Sequence, residues 1–559
     1  MPRPSWTTFL AGAVVVGAGL IAYHNSLAGP FVLDDAWNIA ANPSIRHLWP
    51  PWSALAPPPV PGVGGRPLYN FSFALNYAWG GTAVGSYHAL NLAIHLLAGL
   101  TLFGIVRRTL ERKRSMGFQP ILKSEHGREA HATFLALAVA LLWTVHPLLT
   151  ESVTYISERS ELLMGLFYLL TLYGFIRHAD ESESGNRKAE SGNPKPGPGS
   201  KFSLFAFPAT GSGPELVEGR FPIFSVAACF CGMASKQSMV TAPLAVLLYD
   251  RTFVAGSFRA AWRRRRAYYL ALAGTWLLLV WLMIGTSAGQ IGFNHGVSAP
   301  AYAATECRVV LKYLRLALWP HPLVFDYDLP VVHHLGDAWP AGAALAILLA
   351  ASAYALLRPA RPAGGSLGGR ALLRPADRDF GGQAAGFAGA WFFLTLAPTS
   401  SFVPVGSQPM AENRMYLPLI AVVALAVLGL SALPRRFRGW VAAALAVVLA
   451  CLTFQRNAVY ASGLALWTDT VEKCPQSARA RSNLGAALYR KGRKVEAIGQ
   501  LKEAVRINPD DGLTRLMLGN VLAEDGHTDE AIIQYREALR IDPDLSPARY
   551  RLEALPRTK

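Results

Sequence analysis

Charged side chains are scarce in this sequence. Asp, Glu, Lys and Arg make up only 16% of the 559 residues, whereas 52% are hydrophobic and 11% are aromatic. An ordinary soluble enzyme of this length carries more charge on its surface. The scarcity therefore argues against a soluble enzyme and favours a chain that spends much of its length inside a membrane.

Cysteine is also scarce, with five residues in the whole chain. They show no paired spacing with histidine, and three of them lie within apolar runs. A zinc site needs ligands at regular spacings, and a catalytic thiol needs a polar setting. We therefore interpret the cysteines as packing residues.

Long apolar runs dominate the first 460 residues. They measure about 16 to 22 residues, the length at which a helix crosses a bilayer. The predicted spans lie near residues 8–24, 87–106, 131–147, 160–177, 221–235, 237–249, 267–286, 338–357, 385–401, 414–433 and 440–457. The sequence thus predicts an all-α fold whose residues 1–460 form a polytopic membrane helical bundle of about eleven spans.

The distribution of positive charge predicts the orientation of this bundle. The net charge is +17, and Arg and Lys cluster where apolar runs end, as in Arg263 to Arg266. Such clusters mark cytoplasmic loops, and their position argues against a nucleic-acid partner. The N-terminus is then cytoplasmic and the C-terminus extracytoplasmic. We interpret the first apolar run as an uncleaved helix rather than a signal peptide because many spans follow it.

Two further segments follow from this topology. Residues 221–249 must cross an even number of times, so we expect a helical hairpin with Lys236 near its outer turn. Residues 180–219 are rich in Gly, Pro, Ser and Lys, which predicts a flexible cytoplasmic linker.

An internal repeat follows the last span. Residues 478–511 and 512–545 align at an offset of 34 residues, which is the tetratricopeptide period. Small residues at matching positions permit close helix packing, and Pro509 and Pro543 end the second helix of each unit. We therefore predict that residues 461–559 form a tetratricopeptide-repeat α-solenoid with a partial third unit at 546–559. Because two units seldom suffice for stability, the domain should dock on the membrane part or on a partner.

Acidic and basic residues are predicted to collect on the extracytoplasmic face. The first loop carries the adjacent pair Asp34 and Asp35, and later loops carry Glu151, Glu158 and Lys236. A carboxylate can accept the proton of an attacking hydroxyl, while Arg and Lys neutralise a departing phosphate. The pattern therefore favours a transfer reaction in which a phosphate leaves.

Structural interpretations of the same residues stay open at this point. The aspartate pair could cap a helix, and Glu151 or Glu158 could form an ion pair with Arg159. Lys236 and Arg414 could reach lipid phosphates at the membrane surface. We expect His88 and His95, seven residues apart on one helix face, to be packing residues.

Several short motifs follow one another along the chain. They are Asp34-Asp35, Asn42-Pro43, Arg66-Pro67-Leu68, His88-x-x-Asn91, His146-Pro147, Thr150-Glu151-Ser152-Val153, Arg159-Ser160-Glu161, Lys236-Gln237, Trp319-Pro320 to Phe325-Asp326-Tyr327, and Ala411-Glu412 with Arg414 and Tyr416-Leu417-Pro418. Their order resembles the transmembrane and tetratricopeptide-repeat O-mannosyltransferases, and the resemblance covers nearly the whole chain. The chain departs from the animal members in having fewer repeats, Ser160-Glu161 for Ala-Asp, and Gln237 for Glu.

The resemblance implies a C-type glycosyltransferase fold and an inverting transfer of a sugar from a polyprenyl-phosphate donor. The general base would be Asp34 or Asp35, with Glu151 and Glu158 orienting the acceptor or supporting the base. The set expected to bind substrate and phosphate is His146, Arg159, Lys236, Gln237, Glu412 and Arg414.

The predicted function is thus a bacterial-type membrane glycosyltransferase that moves a sugar such as mannose to an acceptor hydroxyl, with protein Ser or Thr among the acceptors. The repeats would recruit a protein acceptor or an envelope partner. Two rivals stay open: a noncatalytic membrane scaffold and a transporter of a lipid-linked sugar. The sequence identifies no cofactor with certainty, and a divalent cation stays open because Asp34, Asp35 and Glu151 offer oxygen ligands for one.

Overall fold

The computed structural model describes residues 6–57, 62–115, 125–190, 220–284, 298–332, 334–358, 375–401 and 408–554. Within these ranges the regular structure is helical and contains no strand, which confirms the predicted all-α class. The α-helices before the repeats are α1 (Trp6–Tyr23), α2 (Trp52–Leu55), α3 (Pro67–Gly80), α4 (Val84–Ser115), α5 (Glu125–Thr144), α6 (Thr150–Thr154), α7 (Arg159–Glu190), α8 (Arg220–Met233), α9 (Ala242–Asp250), α10 (Phe258–Ile284), α11 (Ala299–Leu318), α12 (Trp339–Leu357), α13 (Pro375–Leu396), α14 (Pro418–Leu430) and α15 (Arg435–Val459).

Several of these helices can cross a membrane. In the described ranges, six are long and apolar enough, and a seventh counts if a pair bent by 51°, Glu129–Thr144 with Pro147–Thr154, is one span. Two shorter apolar helices, α8 and α14, fall below that length. Each predicted span overlaps a helix, but the number of about eleven crossings stays a prediction.

Three segments refine the predictions from sequence. Residues 220–250 form two helices joined by a turn that contains Lys236, as a hairpin requires. Helix α7 continues to Glu190, so the first part of the predicted linker is helical, and residues 191–219 lie outside the described residues. Helix α11 was not predicted because it is amphipathic rather than apolar, with Val309 and Tyr313 buried and Arg315 exposed.

The two ends of the bundle carry different charges. One, here called the basic end, holds buried arginines paired with carboxylates: Arg112 binds Asp180 at 2.5 Å, and Arg265 binds Asp250 at 2.9 Å. The opposite end, here called the acidic end, holds Asp34, Glu151, Glu158, Lys236 and Glu412. The predicted orientation of these two ends in a membrane stays a prediction.

The repeats form as predicted. Their helices are α16 (Gly463–Lys473), α17 (Ala478–Arg490), α18 (Lys494–Ile507), α19 (Gly512–Glu524), α20 (Thr528–Ile541) and α21 (Ser546–Ala554). A Cβ atom at Gly485 would lie 2.6 Å from Leu501, and one at Gly519 would lie 2.7 Å from Tyr535. Only glycine permits this approach between the paired helices. The repeat domain docks on the acidic end of the bundle, where the Arg479 guanidinium binds Asp326 at 2.5 Å.

Candidate functional site

Asp35 is a buried anchor of the first loop. One carboxyl oxygen accepts hydrogen bonds from the backbone N–H of Ser157 at 2.8 Å and from its hydroxyl at 2.5 Å. The other accepts the N–H of Val32 at 3.0 Å, and the residue has no exposed surface. Burial raises the pKa of Asp35 to about 7, although its three hydrogen bonds oppose the shift. Asp35 therefore fixes the loop and has no face open to a substrate.

Asp34 stands in the opposite situation. The residue is exposed, and its backbone N–H donates to the hydroxyl of Tyr155 at 3.0 Å. Partial burial raises the pKa of the Asp34 carboxyl above its ordinary value, the Tyr155 hydroxyl lowers it, and the negative charge of Glu158 raises it. Asp34 is thus an accessible carboxylate whose pKa is shifted by Tyr155 and Glu158.

Lys236 joins two carboxylates at the start of α7. Its ammonium lies 2.6 Å from Glu161 and 3.5 Å from Glu158, and 14% of its side chain is exposed. Burial lowers the pKa of Lys236, but the two glutamates outweigh that effect and raise it above its ordinary value. Gln237 follows Lys236 half-buried at the start of a short 3₁₀ helix, Gln237–Thr241. The cation therefore neutralises protein carboxylates before any ligand binds.

Glu151 and Glu412 form a second, more deeply buried acidic group. Glu151 accepts the backbone N–H of Asn413 at 3.1 Å. Glu412 accepts the N–H of Val324 and the hydroxyl of Tyr327, both at 2.8 Å, and lies 3.6 Å from Arg456. Its second carboxyl oxygen is buried without a hydrogen-bond partner, and burial raises the pKa of Glu412. This group ties the loop before α14 to the bent segment before α7.

Three side chains that we expected to bind phosphate or substrate form their hydrogen bonds with other groups of the protein. Arg159 is fully buried and donates to Asn91 at 2.7 Å and to two backbone carbonyls, with the rings of Phe73 and Tyr87 beside it. Arg414 donates to the carbonyls of Thr399, Gln408 and Pro409. His146 accepts the N–H of Leu148 at 3.2 Å and also bonds to the Ala317 carbonyl. These side chains shape the acidic end rather than face a ligand.

Two residues that the sequence did not single out as candidate site residues lie beside the candidate site. Arg66 is half-buried beside Glu158 and Lys236, and its guanidinium donates to the Gly62 carbonyl at 3.2 Å. Tyr155 places its hydroxyl against Asp34. Arg66 appeared only within a motif, and Tyr155 is a buried aromatic residue, so neither signalled chemistry by its residue type.

The described residues contain no group of three or more His, Cys, Asp or Glu side chains that could hold a metal ion. Asp34, Asp35 and Glu151 do not converge in this way. His88 and His95 are buried, and both ring nitrogens of His95 have partners, namely Tyr416 and the Thr144 carbonyl at 3.0 Å each. These histidines pack and hydrogen-bond within the bundle.

Comparison with known proteins finds one matching repeat profile and several similar proteins. A profile of the tetratricopeptide repeat matches residues 452–512 and 496–546. The mouse protein O-mannosyl-transferase TMTC4 is 26% identical over 526 residues, which cover 89% of this chain and 66% of the relative. The protein O-mannosyl-transferase F38B6.6 of Caenorhabditis elegans is 21% identical over 89% of this chain and 62% of the relative. The mouse protein O-mannosyl-transferase TMTC1 is 28% identical over 44% of this chain and 23% of the relative.

The bundle and the repeats define a multi-pass membrane protein with a C-terminal tetratricopeptide-repeat domain. The similarity to the mouse TMTC4 protein covers 89% of this chain, so it includes residues of both the bundle and the repeats. This chain is thus similar, over most of its length, to proteins named protein O-mannosyl-transferases, and its last part matches the tetratricopeptide repeat. The chain spans less than two thirds of the length of these relatives, with 66% of the mouse TMTC4 protein, 62% of F38B6.6 and 23% of the mouse TMTC1 protein covered.

Proposed function

We propose that the protein is a membrane glycosyltransferase that moves a sugar, with mannose as the first candidate, from a polyprenyl-phosphate carrier to an acceptor hydroxyl. The relatives are named protein O-mannosyl-transferases, which supports mannose as the sugar and protein Ser or Thr as the acceptor. The observation that carries the proposal is the accessible carboxylate of Asp34 at the acidic end, held by Tyr155 and flanked by Glu158.

Asp34 is our choice for the general base, and Asp35 is the residue that positions it. Asp34 accepts the proton of the acceptor hydroxyl as the acceptor oxygen bonds to the anomeric carbon. The bond between that carbon and the phosphate oxygen breaks on the opposite side, so the configuration inverts and polyprenyl phosphate departs. Glu158 lies where it can orient the acceptor, and Glu151 supports the loop that carries Asn413.

In this proposal Arg66 binds the phosphate of the donor, with Lys236 nearby. The described hydrogen bond of Arg66 goes to a backbone carbonyl rather than a carboxylate, which leaves guanidinium donors for a phosphate. Lys236 already lies between two glutamates, so it supplies positive potential rather than a free ligand. We assign Arg159 and Arg414 no direct contact with the phosphate, because both side chains are largely buried and donate hydrogen bonds to the protein.

The acidic end is then the extracytoplasmic end, and the repeats recruit the acceptor on that side, with the bacterial inner membrane as the location. The clustering of arginines at the basic end supports this orientation. A Val495→Cys variant tests it, because Val495 is 77% exposed on α18. We expect a membrane-impermeant maleimide to label this thiol in intact cells; labelling only after lysis would place the repeats in the cytoplasm.

The direct test uses the full-length protein in lipid nanodiscs. We expect transfer of radiolabelled mannose to a Ser/Thr-rich peptide from a short-chain polyprenyl-phosphate mannose and none from GDP-mannose, with an α-linked product from a β-linked donor. Transfer from the nucleotide sugar would contradict the donor class. Absence of transfer from either donor by folded protein that still binds the peptide would favour a noncatalytic scaffold.

A further inference from the structure

The backbone at Asp34 depends on support from outside its own loop. Leu33 has a φ of 50°, in the left-handed region that residues with a side chain seldom adopt. Val32 is buried, and the Asp34 N–H donates to the Tyr155 hydroxyl at 3.0 Å. The position of the Asp34 carboxylate is therefore set by whatever fixes Val32, Leu33 and Tyr155.

Those three residues pack into the core of the repeat domain. Val32 and Tyr155 belong to the same cluster of buried apolar side chains as Leu466 and Trp467 of α16, and Leu33 packs against it. The same cluster continues through the repeats by way of Leu484, Leu488, Leu501, Leu518 and Tyr535. The first loop is thus continuous with the repeat domain in packing, although more than 400 residues separate them in the sequence.

One aromatic side chain links the two parts directly. Phe325 packs edge to face against Tyr155, with ring centroids 6.0 Å apart, and against Trp467, at 5.5 Å. It also meets Tyr460 at 6.2 Å. Because such rings interlock in discrete arrangements, displacing Trp467 leaves Tyr155 without its support.

Polar contacts on either side of Phe325 hold this arrangement in place. Arg479 of α17 binds both carboxyl oxygens of Asp326, which is 1% exposed. Lys473 of α16 donates to the Leu323 carbonyl at 2.9 Å. Because a buried carboxylate needs its counter-ion, these contacts with the repeats stabilise the loop at residues 323–328 in this position.

We propose that the docked repeat domain is a structural part of the active site, in which Trp467, acting through Phe325 and Tyr155, positions Asp34. The role of Asp34 as base rests on the proposed function; the packing that positions it does not. The repeats then have two separable tasks, because recruiting an acceptor affects KM whereas positioning the base affects kcat.

The test compares Trp467→Leu, Trp467→Phe and the exposed control Val495→Ser in the full-length protein, with the polyprenyl-phosphate mannose assay described above. We expect Trp467→Leu to lower kcat about 10-fold with KM within about twofold, because the base loses its fixed position. Trp467→Phe should restore most of kcat since it keeps an edge-to-face ring. Val495→Ser should match the wild type.

Hydrogen–deuterium exchange of the backbone amides of residues 32–38 gives a readout that does not depend on transfer. It should become faster in Trp467→Leu and stay unchanged in Val495→Ser. If the wild type is inactive, the proposed function fails while exchange still tests the coupling. Unchanged exchange in folded Trp467→Leu, or a change in KM alone, overturns the inference; should that variant not fold, Arg479→Gln serves for the same measurements.

Discussion

The two ends of the bundle use charge in different ways. At the basic end, Arg112 and Arg265 pair with carboxylates, and Asp250 accepts two bonds from Arg265 and one from Tyr269. At the acidic end, Asp34 is exposed and Glu412 has an oxygen without a partner. Glu412 also lies 3.6 Å from Arg456, so ion pairs occur at both ends, and Asp34 differs from these carboxylates in being exposed. Buried ion pairs hold helices together, whereas an exposed carboxylate with a shifted pKa is a candidate for chemistry. The exposed Asp34 is the feature that distinguishes the acidic end, and our proposed function places the reaction there.

Replacing Asp34 should have the largest effect. Asp34→Asn removes the proton acceptor while keeping the shape, so we expect transfer to fall by about 10²- to 10⁴-fold with little change in thermal stability. The measurement is kcat in the polyprenyl-phosphate mannose assay. Asp337→Asn, at an exposed residue before α12, is the matched control. Full activity in Asp34→Asn would exclude Asp34 as the base.

Breaking a pair at the basic end should act on stability instead. Arg265→Gln leaves the carboxylate of Asp250 buried without its counter-ion, which costs about 3 to 5 kcal/mol of the free energy of unfolding. Chemical denaturation in detergent measures this loss, and kcat at low temperature should stay within about twofold of the wild type. A variant that keeps its stability but loses transfer would reverse the assignment of the two ends.

The smallest effects should appear in the pH dependence of transfer. In the proposed mechanism transfer requires ionised Asp34, so we expect activity above the pKa of Asp34 and its loss as the pH falls through that pKa. Glu158 raises that pKa and the Tyr155 hydroxyl lowers it. Glu158→Gln should therefore move the acidic limb of kcat/KM to lower pH, and Tyr155→Phe should move it to higher pH. Shifts in the same direction would contradict the proposed environment of Asp34.

The helices and repeats could be predicted because their signals are local. Each apolar run overlaps a helix, and the 34-residue period reproduced the repeat pairs. The amphipathic helix α11 was not predicted because only one of its faces is apolar. Such a face becomes visible only once its neighbours are known.

The site was predictable in residue types but not in roles. Asp34 and Asp35 are adjacent, yet the carboxyl group of Asp35 accepts a hydrogen bond from Ser157, which lies 122 residues away in the sequence. Arg159 and Arg414 are cations in the expected region, but their partners are backbone carbonyls and side chains brought together only by folding. The sequence shows where charged residues occur. Only the fold shows whether a charged side chain still has hydrogen-bonding groups free for a ligand.

The surroundings of Arg159 imply a particular response to ionic strength. Its charge is held by Asn91, two carbonyls and two aromatic rings, with no exposed surface. Dissolved ions cannot approach such a charge, so its field at the nearby Asp35 is the same in dilute buffer and in concentrated salt. Salt should then weaken the interactions of the partly exposed Arg66 and Lys236 with a ligand. The electrostatic interaction of Arg159 with the first loop should stay constant.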